Sequence, residues 1–406
     1  LDVLFIHPNF PGQFRRVAAA LARQPGMRVI GMGDQSWMDP ARAIADVPVI
    51  AYPKPGDSAM GAHAHSRSFD AAVRRGHQVV TTLSAHKQQG LEPDVIFVHP
   101  GWGDGFYLRD FFPGAKVVGL FEYYYHPRGT DVGFDPEFPS SFEDIFRLRT
   151  TNATQLLALD SCDEGFSPTA WQRSLFPAAW RYRLSLLHEG VETDVVAPDP
   201  NAQITLPDGT VLKAGDEVLT YVSRNLEPYR GYHIFMRALP AILQARPECH
   251  VVIVGGDGVS YGKKPEPGTT WKQKYLDEVK DGLDLSRVHF TDTLPYETYV
   301  KVLQVSRVHV YLTYPFILSW SMLEAMSAGC LVLASGTPPV EEVISHGDNG
   351  LLFPFLQPQR LADAAIEALA DPVRFLPLRE QARKTIEEKF DFHRVTVPGY
   401  LRMMEG

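Results

Sequence analysis

Short apolar runs alternate along the chain with loops and with segments that carry one apolar face. The first run, Asp2 to His7, reads as a buried strand. A Pro/Gly turn and a helix from Gln13 to Arg23 follow, with Phe14, Val17, Ala18 and Leu21 on one face. Gly26 and a strand from Arg28 to Met32 come next, so the chain opens as strand, loop, helix, strand, the start of a parallel α/β sheet. Further strands are predicted at Val95 to His99 and Val117 to Phe121. Each runs into a loop rich in Gly, Pro or aromatic residues, where open α/β sheets place ligands.

A second pattern of the same kind begins near residue 217. It comprises strands Glu217 to Val222, His250 to Val254, Arg287 to Phe290, Val308 to Leu312 and Cys330 to Ala334. Helices are predicted at Tyr232 to Arg246, Tyr296 to Val305 and Ser321 to Ala328. Leu206 to Lys213 carries an Asp-Gly turn between alternating apolar residues and reads as a small hairpin. Two successive units imply two Rossmann-like, doubly wound domains facing each other across a cleft. Their expected extents are 1–200 and 201–389. A last helix, Val397 to Met404 within about 390–406, is expected to pack back on the first.

Length agrees with this, since 406 residues exceed one ordinary core. Hydrophobic residues make up 45% and charged residues 21%, which suits a globular protein rather than a disordered one. A formal charge of -9 without long blocks of one sign argues against nucleic acid as the main partner. Cys162, Cys249 and Cys330 are far apart and have neither disulfide nor metal-ligand spacing, so a reducing, cytoplasmic setting is expected. No apolar run is long enough to span a bilayer. The chain opens on Leu1, not Met, directly in strand-like sequence and without a leader pattern, as a trimmed start would.

Two segments carry candidate chemistry. In V-S-R-N-L-E-P-Y-R-G-Y-H, Val222 to His233, a strand ends, Arg224 and Arg230 lie on the loop, and Gly231 precedes a helix. Two guanidinium groups there suit a diphosphate, each charge-assisted bond being worth roughly 1.5–3 kcal/mol. They equally suit surface ion pairs. In S-W-S-M-L-E-A-M-S-A-G, Ser319 to Gly329, Ser321 and Glu324 have the spacing of a capping box and Gly329 ends the helix. Either Glu324 caps its own helix, or the helix start offers N–H groups to a phosphate while Glu324 accepts from ribose hydroxyls. His63, His65, His77 and His86 lack the ligands that would complete a metal set. Arg67, Arg74, Arg75 and Lys87 read as a solvated helix face, with an anionic membrane surface as the rarer outcome. No G-x-S-x-G elbow or P-loop is present.

The order of these motifs resembles glycosyltransferase family 4. Besides Arg224, Arg230-Gly231 and L-E-A-M-S-A-G, it includes V-V-I-V-G-G-D-G at Val251 to Gly258 and V-H-F-T-D-T-L-P at Val288 to Pro295. S-P-T-A-W-Q-R-S-L-F-P at Ser167 to Pro177, H-E-G-V-E-T-D at His188 to Asp194, G-T-P-P-V-E-E-V-I, and D-N-G-L-L-F at Asp348 to Phe353 complete the set. The resemblance covers nearly the whole chain. It implies a GT-B fold and transfer of a sugar from a nucleoside diphosphate, UDP or GDP, to a hydroxyl on a glycan or glycolipid. It also implies retention of configuration, with no cofactor and no obligatory metal. The place would be the cytoplasm, or peripherally the inner face of a membrane.

Carried over by position, Arg224 and Arg230 would bind the diphosphate, Glu324 the ribose, and the backbone around Leu294 the base. Gly255 and the helix start with Ser319, Ser321, Met322 and Leu323 would join the donor site. Gly12, in P-G-Q-F, would let backbone approach phosphate and acceptor. The family tends to place a histidine after the strand that ends at Phe121. Here Glu122 fits by spacing and His126 by residue type, and either could orient a hydroxyl. One departure concerns the first of two glutamates common in the family, whose position is Phe316. It leaves a non-catalytic sugar or nucleotide binder, and a sugar-nucleotide epimerase, as alternatives.

Overall fold

A computed structural model of the chain describes residues 1–39, 41, 43–56 and 63–405. The chain forms two units, Leu1–Gly190 with Phe392–Gly406, and Val191–Asp391. The first boundary therefore falls at 190/191 rather than 200/201. Val191 and Val196 are the reason, because both are buried in the core of the second unit with Leu303, Met322 and Met326.

The first unit is built on seven parallel strands: β1 (Asp2–Ile6), β2 (Arg28–Asp34), β3 (Val49–Tyr52), β4 (Val95–Val98), β5 (Lys116–Leu120), β6 (Glu164–Ser167) and β7 (Leu184–Leu186). Their order is β3-β2-β1-β4-β5-β6-β7. β1 and β4 read as continuous apolar runs because both faces of the sheet are covered. Leu4, Ile6, Ile96, Val98 and Val117 point to the face covered by helix Arg67–Gln88. The alternate residues Val3, Phe5, Phe97 and Val118 point to the other face. Val17 and Leu21 of helix Arg15–Ala22 lie there, with Val397, Tyr400 and Met403 of helix Val397–Glu405.

The second unit carries the hairpin β8 (Gln203–Thr205) and β9 (Val211–Lys213), with Asp208 and Gly209 at its turn. Its six-stranded parallel sheet comprises β10 (Val218–Asn225), β11 (His250–Gly256), β12 (Val288–Phe290), β13 (Val308–Tyr311), β14 (Leu331–Ser335) and β15 (Leu351–Phe353). The order is β12-β11-β10-β13-β14-β15. Ile204, Leu206 and Leu212 of the hairpin pack on Val218, Val252 and Val254. All strands within each large sheet are parallel, so every strand of a unit ends at one edge, and the helices that follow start there. The first helix is shorter than predicted. Gly12–Phe14 is a single 3-10 turn, and the α-helix starts at Arg15.

Candidate active site

In the second unit the carboxyl edge brings both arginines together with the loop after β11. β10 extends to Asn225, so Arg224 lies on the strand rather than on the loop. It is exposed and has no hydrogen bond or ion pair among the described residues. Arg230 closes the 3-10 turn Pro228–Arg230 and is buried. Its Nη1 donates to Thr313 Oγ1 at 2.8 Å and to the Ile317 carbonyl at 2.9 Å, and its guanidinium lies 5.2 Å from the Tyr261 ring centre. Gly231 has φ 69°, and a Cβ there would lie 2.4 Å from Leu312 Cβ. Only glycine meets both demands, and helix Tyr232–Ala245 starts from it.

Gly255 is similarly close-packed, since a Cβ would lie 2.7 Å from the Ser223 carbonyl oxygen. The loop beyond it is fastened by a group that sequence reasoning missed. Buried Glu227 accepts from the backbone N–H of Ser260, Tyr261 and Gly262 at 3.1 to 3.4 Å. Successive N–H groups converging on a carboxylate fix the loop as an anion nest would.

The capping box at Ser321 and Glu324 is not formed. Ser319 is the N-cap of helix Trp320–Ser327, its Oγ accepting from Ser321 N at 3.4 Å. Glu324 turns away from the helix start and accepts from Tyr296 OH and Tyr299 OH, each at 2.9 Å. Ser321 is also buried, and Met322 and Leu323 face the core, so only their backbone is offered at this edge. Leu294 is half-buried just ahead of helix Tyr296–Val305. Phe316 is buried against Tyr229 and Tyr261, with ring centres 5.3 and 4.9 Å away.

The carboxyl edge of the first unit gathers a second set. His7 follows β1, His99 follows β4 and Glu122 lies just beyond β5. Glu122 is bonded to His99 Nε2 at 3.0 Å and accepts from Gln13 Nε2 at 2.8 Å. Burial pushes the Glu122 carboxyl up, but His99, Gln13 and His7 outweigh it and hold its pKa below the ordinary value. Gly12 has φ 46°, and a Cβ would lie 2.7 Å from the His7 ring. The turn thus brings Gln13 to Glu122. His126 does not join this set. Its Nε2 donates to the Leu175 carbonyl at 2.7 Å. Sequence reasoning missed His99 and Gln13; a polar residue at a strand end before a Gly-rich loop was the signal for His99.

Further along this edge, Arg75 Nη1 donates to Asp34 at 3.0 Å and to Tyr52 OH at 2.9 Å, while Tyr52 donates to Asp104 at 2.7 Å. Burial pushes Asp104 up to about 6, against the pull of Arg75 and the Tyr52 hydrogen bond. The cations of helix Arg67–Gln88 have local partners too. Arg74 pairs with Asp70, and Lys87 donates to the Phe111 carbonyl. No helix among the described residues is long and apolar enough to cross a membrane.

Residues 26–196 match the Glycosyl transferase family 4 group, and residues 205–389 match the Glycosyl transferases group 1. A GDP-mannose-dependent alpha-(1-6)-phosphatidylinositol monomannoside mannosyltransferase from Mycobacterium tuberculosis is 27% identical over 240 residues. That match covers 58% of this chain and 60% of the relative's length. Among solved structures, sucrose-phosphate synthase from Thermosynechococcus elongatus superposes with a TM-score of 0.74 at 16% identity, covering 99% of this chain and 98% of that one. Anabaena HepE, solved with UDP and glucose, gives a TM-score of 0.68 at 16% identity over 100% of both chains. The fold is GT-B, with a Rossmann-like parallel sheet in each unit. With one family match on each unit and the motifs in their order, the chain belongs to the family 4 glycosyltransferases.

Proposed function

We propose that the chain transfers a hexose from a nucleoside diphosphate, GDP or UDP, to a hydroxyl of a glycan or glycolipid. The reading is carried by Arg224. It is an exposed guanidinium, without a partner among the described residues, at the carboxyl edge of a Rossmann-like sheet, close in sequence to the fixed Arg230 and on the edge where helix Trp320–Ser327 starts. The chemical problem is the negative charge that develops on the departing diphosphate. Arg224 would form new bonds to it. Arg230 and the N–H groups at the start of helix Trp320–Ser327 would meet it without rearrangement. Glu324 would take the ribose hydroxyls, exchanging them for its tyrosine partners. Glu122, kept ionised by His99 and Gln13, would accept a hydrogen bond from the reacting hydroxyl or orient the transferred sugar.

Retention of configuration and independence from metal belong to this proposal and rest on the family resemblance. GDP-mannose is the first donor to try, on the strength of the mycobacterial relatives. Thermal-shift binding of UDP-, GDP-, ADP- and dTDP-sugars tests the reading, repeated on Arg224→Ala and Arg230→Ala. A rise in Tm with one base, lost in both variants, is expected. No rise with any donor, with or without sugar acceptors, would leave a non-catalytic relative as the better account.

A further inference from the structure

We propose that Trp102 and Trp37 are two stacking platforms for the acceptor, which is therefore a neutral glycan of more than one pyranose ring. The proposal rests on the transferase reading for what happens at the acceptor hydroxyl. It does not rest on it for the binding itself.

Trp102 is 40% exposed, yet its loop is held rigidly. His99 Nδ1 accepts from Gly101 N at 3.4 Å. Gly103 has φ 95°, and a Cβ there would lie 2.2 Å from the Ala72 carbonyl oxygen. A Cβ on Gly76 would lie 2.6 Å from the Gly103 carbonyl oxygen, so loop and helix meet backbone to backbone. A large aromatic ring held on a fixed loop offers a rigid, pre-placed stacking surface. The indole also lies against His99, with ring centres 4.4 Å apart, and His99 is bonded to Glu122. Trp102 is thus linked through His99 to the carboxylate assigned to the reacting hydroxyl.

A pyranose fits this combination. One face of the sugar presents C–H groups to an aromatic ring, while hydroxyls at its rim reach polar side chains. An alkyl chain would need an apolar groove, and the ring contacts of Trp102 are to His7 and His99, the latter bonded to Glu122. An anionic acceptor would be repelled by the Glu122 carboxylate behind His99, and the guanidinium of Arg75 is already paired with Asp34.

Trp37, 46% exposed, provides the second platform. It follows β2, and its ring lies 5.2 Å from the guanidinium of Arg75. Arg75 is bonded to Tyr52, and Tyr52 to Asp104, which belongs to the Trp102 loop. A cation–π contact from Trp37 to Arg75 and two hydrogen bonds, Arg75 to Tyr52 and Tyr52 to Asp104, therefore connect the Trp37 ring to the loop that carries Trp102. β2 and β4 flank β1, so their axes are about 10 Å apart, which is of the order of a disaccharide.

The test is calorimetric titration of the full chain, with and without the donor selected above. The probes are methyl α-mannoside, α-1,6-mannobiose and α-1,6-mannotriose, and the series methyl α-glucoside, maltose and maltotriose. In one series the dissociation constant should fall at least tenfold from monosaccharide to trisaccharide. Trp102→Ala should weaken every member tenfold or more, and Trp102→Phe should recover most of that loss, which a folding defect would not. Trp37→Ala should flatten the dependence on length. A constant independent of length, indifference to both alanine variants, or no sugar binding with donor present would each overturn the platforms. Sugar binding without any donor binding would instead overturn the transferase reading and leave the platforms standing.

Discussion

At the scale of single residues, Glu122 and His126 separate cleanly. Glu122→Gln keeps the size and the contact with Gln13 but removes the charge, so kcat should fall by roughly a hundredfold or more while donor binding persists. His126→Ala should leave kcat near wild type and lower stability by about 1 kcal/mol, the worth of its bond to Leu175. Steady-state rates and urea unfolding on both variants check this, and equal loss of rate in the two would refute the assignment. Because its pKa is held low, Glu122 should give up its charge only as pH falls below the ordinary 4.5, so it adds no acid limb near neutrality.

Asp104 carries the opposite shift. Unfolded it titrates near 3.8 and native near about 6, so between those values the native state binds more protons. Stability must then fall as pH rises through that window and stay lower above it. The shift corresponds to roughly 3 kcal/mol as an upper figure. Asp104→Asn keeps an acceptor for Tyr52, so it should raise Tm at pH 7 and flatten Tm between pH 4 and 6. An unchanged slope would show that another group titrates there.

At the scale of elements, legibility followed the strength of the apolar pattern. β1, β4, β5, β11 and β13 are buried on both faces and stood out as runs. Helix Arg67–Gln88 is the longest in its unit but buries only Ala72, Gly76, Val79 and Leu83, so its solvated face of cations was read while its faint apolar stripe and its ends were not. β7 has three residues, two of them exposed, and offered no period at all. The start of helix Trp320–Ser327 was misplaced because S-W-S offers two capping serines, and only the backbone decides between them. Arg224 and Arg230 stood out as candidates from their place after a strand, whereas Glu227 did not, because its partners are N–H groups more than thirty residues away.

Two glycines test how such junctions are built. Gly209, in the β8–β9 turn, has φ 88° and open space where a Cβ would go, so Gly209→Ala should cost about 1 kcal/mol for the left-handed backbone alone. Gly231 adds the overlap with Leu312, so Gly231→Ala should cost about 2–4 kcal/mol and weaken the donor-induced rise in Tm. Equal unfolding midpoints for the two variants would mean that the Leu312 contact relaxes freely.

At the scale of the molecule, the chain leaves its first unit at Gly190 and returns to it at Phe392, so the last residues complete a core begun by the first. Tyr400 is the centre of that return. Its ring is fully buried, 5.0 Å from Phe97 of β4 and 5.4 Å from Phe166 of β6 by ring centres, and a Cβ on neighbouring Gly399 would lie 2.4 Å from Leu187 Cδ1. The Tyr400 hydroxyl has no hydrogen-bond partner among the described residues. Ring and hydroxyl therefore contribute with opposite signs. Tyr400→Phe removes an unsatisfied buried group and should be neutral or stabilise by up to about 1 kcal/mol. Tyr400→Ala opens a cavity between two strands and the closing helix and should cost about 3–5 kcal/mol. Since Val3, Phe5 and Leu187 share that core, the loss should appear as unfolding of the first unit at lower temperature, with the donor-induced stabilisation of the second unit retained. Calorimetry with and without donor distinguishes the cases. A Tyr400→Ala variant that loses both transitions together would mean that the two units unfold as one cooperative body.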